Sequence, residues 1–384
     1  MTYFCSLKHI KTTLIPVVLA ISYIQCVNAD PPITLKTMGS FAFGGSVNYR
    51  QDRTTIHGDH GYAQYYIPST PRHYPIVMWH GVGQSGRSFE STPDGREGFQ
   101  ALLPRDNYPV YIIDQPRRGI AGYTAAKQEQ SDIPTVNNEA DLWEAFRIGP
   151  WVKGEKAQIF TQSAFPLNSN AVNQFFRQQT PNTAEEPRTA EFNSFIAATG
   201  KSLFDTIGDS ILLTHSRAGY YGWEIAMASD KVKAVIAFEP GACAFTEKDP
   251  PENLVIVNEM VARNTLPPSI PDEKWQKLLK IPILVIFGDN IATQPQYHSF
   301  NGELWRIAEL RAKQFVSTIN RHGGDATFIS LPDLGLKGNT HAPFADLNNK
   351  DVLKVVENFL TYKELDTYDN PHQGPKFTEI NKYT

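Results

Sequence analysis

The segment Ser210-Ile-Leu-Leu-Thr214-His215-Ser216-Arg217-Ala218-Gly219 carries the clearest chemical signal in the chain. An apolar run ends at a serine flanked at two residues' distance by small Thr214 and Ala218, and a helical pattern follows at once. A serine on so sharp a strand-to-helix turn has an exposed hydroxyl and a strained backbone, which only small neighbours tolerate. The usual form is Gly-x-Ser-x-Gly, and both glycines are replaced here. The same serine could instead cap the following helix. As a nucleophile, Ser216 needs donors for a developing oxyanion, a base, and an acid to orient the base.

Candidates exist for each role. The apolar run Pro75–His80 leads into Gly81-Val82-Gly83-Gln84-Ser85-Gly86, where glycines let backbone N–H groups turn inward. The Val82 amide, with the Arg217 amide next after the serine, would hold the oxyanion. His341, in Gly338-Asn339-Thr340-His341-Ala342-Pro343, follows the last strand candidate and precedes the last helix, so its imidazole can swing over the serine. His80 and His215 are expected to pack or to orient the two loops. Two residues fit the acid: Asp289 after the apolar run Ile283–Phe287, and Glu239 after Ala234–Phe238, one strand beyond the serine. Two further matches mislead. Gly208-Asp209-Ser210-Ile211 lies before its strand, and Thr199-Gly200-Lys201-Ser202 has Phe195 where a phosphate loop needs glycine.

The elements that must position these residues are short apolar runs: Pro75–His80, Pro109–Asp114, Ile211–Thr214, Ala234–Phe238, Ile283–Phe287 and Thr327–Leu331. They lack strict alternation, as strands of a parallel sheet covered on both faces do. Helical patterns at Trp223–Ser229, Trp305–Arg321 and Asp351–Tyr362 lie after or between them. Strand, helix, strand, repeated, predicts a doubly wound, mostly parallel α/β fold. Ser40–Tyr49 and Tyr62–Ile67 read as leading antiparallel strands, with Gly44-Gly45 allowing a bend or bulge. An Asn/Gln-rich stretch with scattered Phe and Trp, about 128–206, reads as a helical cap insertion, and the polar tail 363–384 is expected to be poorly ordered.

Lys8 and Lys11, an apolar run from Leu14 to Ile24 and the exit Val27-Asn28-Ala29 make residues 1–29 a predicted secretory signal peptide. That run is too short to span a bilayer. Cleavage would leave residues 30–362 as one hydrolase-like domain and take the net charge from −4 to −6. It would also leave Cys243 as the single cysteine, expected to be buried and inert. With 36 Lys and Arg against 40 Asp and Glu there is no basic surplus for nucleic acid. No His, Cys or Asp set has metal-ligand spacing.

In chain order, several segments together resemble the α/β-hydrolase-fold serine esterases. More narrowly, they are similar to a small group whose triad acid is a glutamate after strand six. The resemblance is carried by Gly39-Ser40-Phe41, Gly44-Gly45, His57-Gly58-Asp59, Tyr66-Ile67-Pro68 and His80-Gly81 with Gly86 beyond. It continues through Thr214-His215-Ser216 with Gly219, Phe238-Glu239-Pro240-Gly241, and Gly338-Asn339 with His341. It implies an α/β-hydrolase fold with a cap and a triad of Ser216, His341 and Glu239, with Asp289 as the alternative acid. Arg217-Ala218 departs from the smaller or polar residues often found beside the serine, which bears on substrate preference. The expectation is a secreted serine hydrolase that cleaves a small-molecule carboxylic ester through an acyl-enzyme, without a cofactor. The same triad could serve a lactonase, an amidase or an acyl transferase. A catalytically inactive binding protein of the same fold is the rival from another class.

Overall fold

The computed structural model describes residues 31–49, 51–52, 54–122, 139–152, 154–179 and 186–377. The expected signal peptide, residues 128–138 and 180–185 of the expected cap, and tail residues 378–384 lie outside the described residues. The strands are β1 (Leu35–Tyr49), β2 (Thr55–Pro68), β3 (Ile76–Trp79), β4 (Val110–Asp114), β5 (Ser210–His215), β6 (Val232–Phe238), β7 (Phe245–Thr246), β8 (Ser269–Ile270), β9 (Pro282–Phe287) and β10 (Asp325–Ser330). The helices are α1 (Phe99–Arg105), α2 (Glu139–Ala145), α3 (Ser169–Gln178), α4 (Ala190–Ile207), α5 (Ala218–Ala228), α6 (Glu259–Asn264), α7 (Asp272–Trp275), α8 (Phe300–Arg321) and α9 (Asn349–Tyr362).

Eight strands form one sheet in the order β1-β2-β4-β3-β5-β6-β9-β10. The leading pair is antiparallel, β2 joins β4 antiparallel, and every later pairing is parallel. The apolar runs are continuous because both faces are covered. Val77, Leu212, Val235 and Val285 face one core, shared with residues of α4, α5 and α8. Their chain neighbours Ile76, Ile211, Ala234 and Leu284 face the other, shared with residues of α1 and α9. The expected parallel α/β architecture is thus present, and it is that of the α/β-hydrolases. Among the described residues no helix is long and apolar enough to cross a membrane.

Some expectations shift. Gly44 and Gly45 take positive φ (63° and 84°) within an unbroken register, while the irregularity in the β1–β2 pairing falls at Leu35/Thr37. Helices α5, α8 and α9 start earlier than the apolar periodicity implied, because their first turns are set by the serine turn or by polar residues. In α8, for example, the Ser299 side chain accepts from Gly302 N–H at 2.9 Å. Within the 128–206 stretch, α4 packs against α5 and β1 as part of a sheet layer. The tail was expected to be poorly ordered, yet it runs back over the domain as far as residue 377. Leu365 is buried, the His372 ring lies 2.8 Å from the Tyr111 hydroxyl, and Lys376 N–H donates to Thr206 O at 2.9 Å. Buried side chains spaced along a polar segment hold it down where average composition indicates disorder.

Close backbone approach joins the turn after β5 to the turn after β6. A Cβ on Gly219 in α5 would stand 2.4 Å from Pro240 Cβ and 2.8 Å from Pro240 Cα. Gly219→Ala must therefore push the two turns apart, and a stability loss of about 1–3 kcal/mol is expected. A lower urea midpoint at unchanged slope would show it; an unmoved midpoint would contradict this packing.

Candidate active site

Val82, Ser216, Arg217, Glu239 and Asp289 lie within three residues of the C-terminal end of a parallel strand, and His341 lies on the longer loop between β10 and α9, at the edge where α/β sheets place their ligands. Register explains the meeting. Thr214 pairs with Trp79 of β3 and Ala237 of β6, and Phe238 pairs with Ile286 of β9. The residues after these strands are therefore neighbours.

Ser216 has φ 58°, in the left-handed region that non-glycine residues rarely occupy. Two hydrogen bonds hold it there. Its N–H donates to Phe238 O and its carbonyl accepts from Gly241 N–H, both at 3.0 Å. Glu239 (φ 46°) and Arg147 (φ 54°) share this backbone region. Such conformations cost of order 1–3 kcal/mol each and gather at functional sites.

Gly81 lets the β3 loop approach the serine. A Cβ there would lie 3.0 Å from Ser216 Cβ and 2.9 Å from His215 Nδ1. Gln84 braces the loop, its carboxamide 3.1 Å from Gly81 N and 2.9 Å from His215 Nδ1. His215 Nε2–H donates to His341 O at 2.8 Å, so this ring ties the oxyanion loop to the histidine loop. Burial, then the nearby His341, holds the His215 pKa well below the ordinary value, keeping it a neutral support. His80 Nδ1–H donates to Gly81 O at 2.9 Å, and its Nε2 accepts from Gln115 N–H at 3.3 Å. Both histidines orient loops, as expected. Among the described residues, the Val82 and Arg217 amides donate to no other group.

The structure brings Glu239 to His341 and does not bring Asp289 there. His341 Nδ1–H donates to Glu239 Oε2 at 2.5 Å. Asp289 accepts from Asn290 N–H at 2.6 Å and Gly338 N–H at 2.8 Å, and so braces the loop that carries His341. Ser216 and His341 open on one cavity of about 310 Å³, also lined by Val82, Phe146 and Trp305. No hydrogen bond joins the serine hydroxyl to the imidazole; such bonds often tighten only around substrate.

Sequence reasoning missed Arg147. It follows the aromatic-rich helix α2, one residue beyond Phe146. Its Nη1 donates to Glu239 Oε2 at 2.7 Å, its Nη2 to Glu239 Oε1, and its Nε to Asp289 O at 2.8 Å. Gly288 N–H adds a donor to Glu239 Oε1 at 2.7 Å. Burial alone would raise the Glu239 pKa, but Arg147 and His341 outweigh it and hold the carboxyl down at about 2. His341 is shifted below its ordinary value by burial, which the Glu239 charge opposes and Arg147 reinforces. The one available signal was a cation directly after a buried aromatic pattern. Trp305, whose ring centroid lies 3.9 Å from that of His341, was likewise unforeseen. Cys243 is buried, the alternative that the sequence favoured, and burial pushes its thiol pKa far up. Among the described residues no group of three or more His, Cys, Asp or Glu is placed to hold a metal ion.

No family model matches the chain. It is 28% identical over 335 residues to the fungal protein named "Probable secreted lipase phiG" (Fungal sp.), covering 77% of this chain and 84% of that one. A solved bacterial esterase matches it with a TM-score of 0.67 at 26% identity, covering 88% of this chain and 98% of that one. The chain has the α/β-hydrolase fold and is similar to proteins named as an esterase and a lipase. One cavity brings together a serine at positive φ, two amides that donate to no other group among the described residues, and a buried imidazole–carboxylate pair.

The Arg147–Glu239 pair can be tested without substrate. Arg147→Met strands a buried carboxylate and should cost about 3–5 kcal/mol of stability. Arg147→Lys should restore only part, because an ammonium cannot reproduce the two-pronged contact. Thermal unfolding of the three proteins checks this, and an unchanged Arg147→Met midpoint would contradict it.

Proposed function

We propose that this protein is a secreted serine hydrolase working through an acyl-enzyme, with Ser216 as nucleophile, His341 as base and Glu239 as the acid that orients it. The observation that carries the reading is the shared cavity. Ser216, at positive φ, opens into the same space as the imidazole whose Nδ1 is tied to Glu239. Since Nδ1–H is committed to the carboxylate, Nε2 is the basic nitrogen.

The steps follow from that tautomer. His341 Nε2 takes the Ser216 hydroxyl proton as Oγ bonds to the ester carbonyl carbon, and the carbonyl oxygen becomes an oxyanion facing the Val82 and Arg217 amides. On collapse the C–O bond to the alcohol breaks, and the imidazolium gives its proton to the departing oxygen. Water then enters, loses a proton to Nε2 and attacks the acyl carbon; the imidazolium returns that proton to Ser216 Oγ as the acyl C–O bond to serine breaks, releasing the carboxylic acid and the free serine. Glu239 remains ionised throughout and stabilises the imidazolium.

The cap reading becomes a narrower proposal. Residues 139–179 form the cover, since Leu142, Ala145 and Phe146 line the cavity, while α4 belongs to the sheet layers. Secretion rests on the charged, apolar and small-residue succession of residues 1–29, and the name of the fungal relative supports it.

A fluorophosphonate should label the protein lacking residues 1–29 and should not label Ser216→Ala, whose kcat should fall by about 10⁴–10⁶-fold. Labelling that survives the substitution would overturn the nucleophile. The base must be neutral to act, so kcat/KM should fall as the pH drops through the His341 pKa. Because that pKa lies below its ordinary 6.5, the acidic limb should be centred below pH 6.5. A limb centred above that value would contradict the buried pairing.

A further inference from the structure

Apart from its histidines, the cavity beside Ser216 is lined by four charged side chains, Arg118, Glu186, Arg188 and Arg217, three of them cationic. Arg118 and Glu186 pair at 3.3 Å with both side chains 4% exposed, so these two charges offset each other. The second Glu186 oxygen accepts from the Tyr221 hydroxyl at 2.9 Å. Arg217 is held differently. Its Nε donates to that Tyr221 hydroxyl at 3.2 Å, its Nη2 to Asn193 Oδ1 at 3.3 Å and Pro187 O at 3.5 Å, and its guanidinium lies 5.1 Å from the Tyr221 ring centroid. Among the described residues these partners are all neutral. A guanidinium is thus fixed in place directly after the nucleophile, with no carboxylate bonded to it. The remaining wall combines the apolar side chains of Leu142, Ala145, Leu304 and Trp305 with the uncharged polar Gln84, Gln179 and Asn264.

We propose that the ester hydrolysed at this site carries a carboxylate, bound in the cavity by the Arg217 guanidinium. The inference rests on the acyl-enzyme reading of Ser216 and adds the substrate class to it. A planar guanidinium with free donor capacity matches a carboxylate geometrically, and the charge-assisted bonds are stronger in an enclosed site than in water. A cavity of about 310 Å³ is at the small end for ligand sites, so the carboxylate and the ester must lie within a few bonds of each other. The apolar side chains of the wall take the short hydrocarbon between or beside them. An uncharged ester of equal size would leave the arginine with its neutral partners and no counter-charge, and the site discriminates against it on that account. The same feature gives a role to the arginine beside the serine, where smaller or polar residues are usual.

Two matched pairs of esters test this on the wild-type protein. In 4-nitrophenyl hydrogen glutarate against 4-nitrophenyl methyl glutarate the carboxylate is on the acyl side. In 4-acetoxybenzoate against its methyl ester it is on the leaving-group side. In at least one pair, kcat/KM should favour the anion by about tenfold or more, and that pair identifies the side. Arg217→Gln should bring the ratio close to one, Arg217→Lys should keep part of it, and raising ionic strength should reduce it in the wild type. Taking the ratio cancels any effect of substitution on the Arg217 amide. Turnover of all four esters with no preference in either pair overturns the inference and leaves the serine mechanism standing, as does a ratio unmoved in Arg217→Gln. Absence of both turnover and fluorophosphonate labelling in folded protein overturns the serine mechanism itself, and this inference with it.

Discussion

Glu239 has no solvent exposure, and a carboxylate in that position must be surrounded by donors or give up its charge. Four donors reach it: both terminal nitrogens of Arg147, Gly288 N–H and His341 Nδ1–H. They come from the segment after α2, the turn after β9 and the loop between β10 and α9. These regions lie 92, 49 and 102 residues away from Glu239 in sequence. The site therefore cannot assemble from the strand ends alone. The segment bearing Arg147 must dock before the carboxylate has its full set of partners, and the same segment brings Phe146, whose carbonyl accepts from His341 N–H at 2.9 Å.

This arrangement also accounts for the division of labour between two acids that looked equivalent in sequence. Asp289 stands at the customary position after β9, but its oxygens are taken by backbone amides of its own turn and of Gly338. The Arg147 guanidinium spans both places, its Nε on the Asp289 carbonyl and its terminal nitrogens on Glu239. Asp289 thus holds the loop and Glu239 holds the ring. The longer glutamate side chain, starting from a backbone twisted to φ 46°, reaches across one strand spacing to do so.

The parallel sheet was legible because burial on both faces erases the polar alternation, leaving runs such as Ile283–Phe287 that read as strands without a partner in view. The serine turn and its histidine were legible because they follow strands in a fixed order. Three things were hidden for a common reason, which is that each depends on one or two residues inside a segment of another character. Arg147 is a single cation in an aromatic helix end. Helix α1 is seven residues long and contains Pro104. The tail is polar on average, yet Leu365 and His372 anchor it. Composition averages over such anchors, and register decides whether they meet a partner. The residues alone left Glu239 and Asp289 equal candidates to meet His341; the resemblance favoured Glu239, and strand register explains why its carboxylate is the one that reaches the ring.

The two arginines Arg147 and Arg217 face different groups. Arg147 lies behind the imidazole and pairs with the carboxylate, so the field of Glu239 at His341 is partly cancelled before any substrate arrives. In the proposed mechanism this makes the imidazole a weaker base when it takes the serine proton and a stronger acid when it returns a proton to the leaving alcohol. An ester whose departing alkoxide is poorly stabilised gains from the second effect more than it loses from the first. Arg217 lines the cavity, where in the proposed reading its charge bears on the substrate and its amide on the oxyanion. Placing one guanidinium on each side of the serine and histidine separates proton transfer from substrate recognition. A change in one set can then alter the pH profile while leaving substrate discrimination to the other.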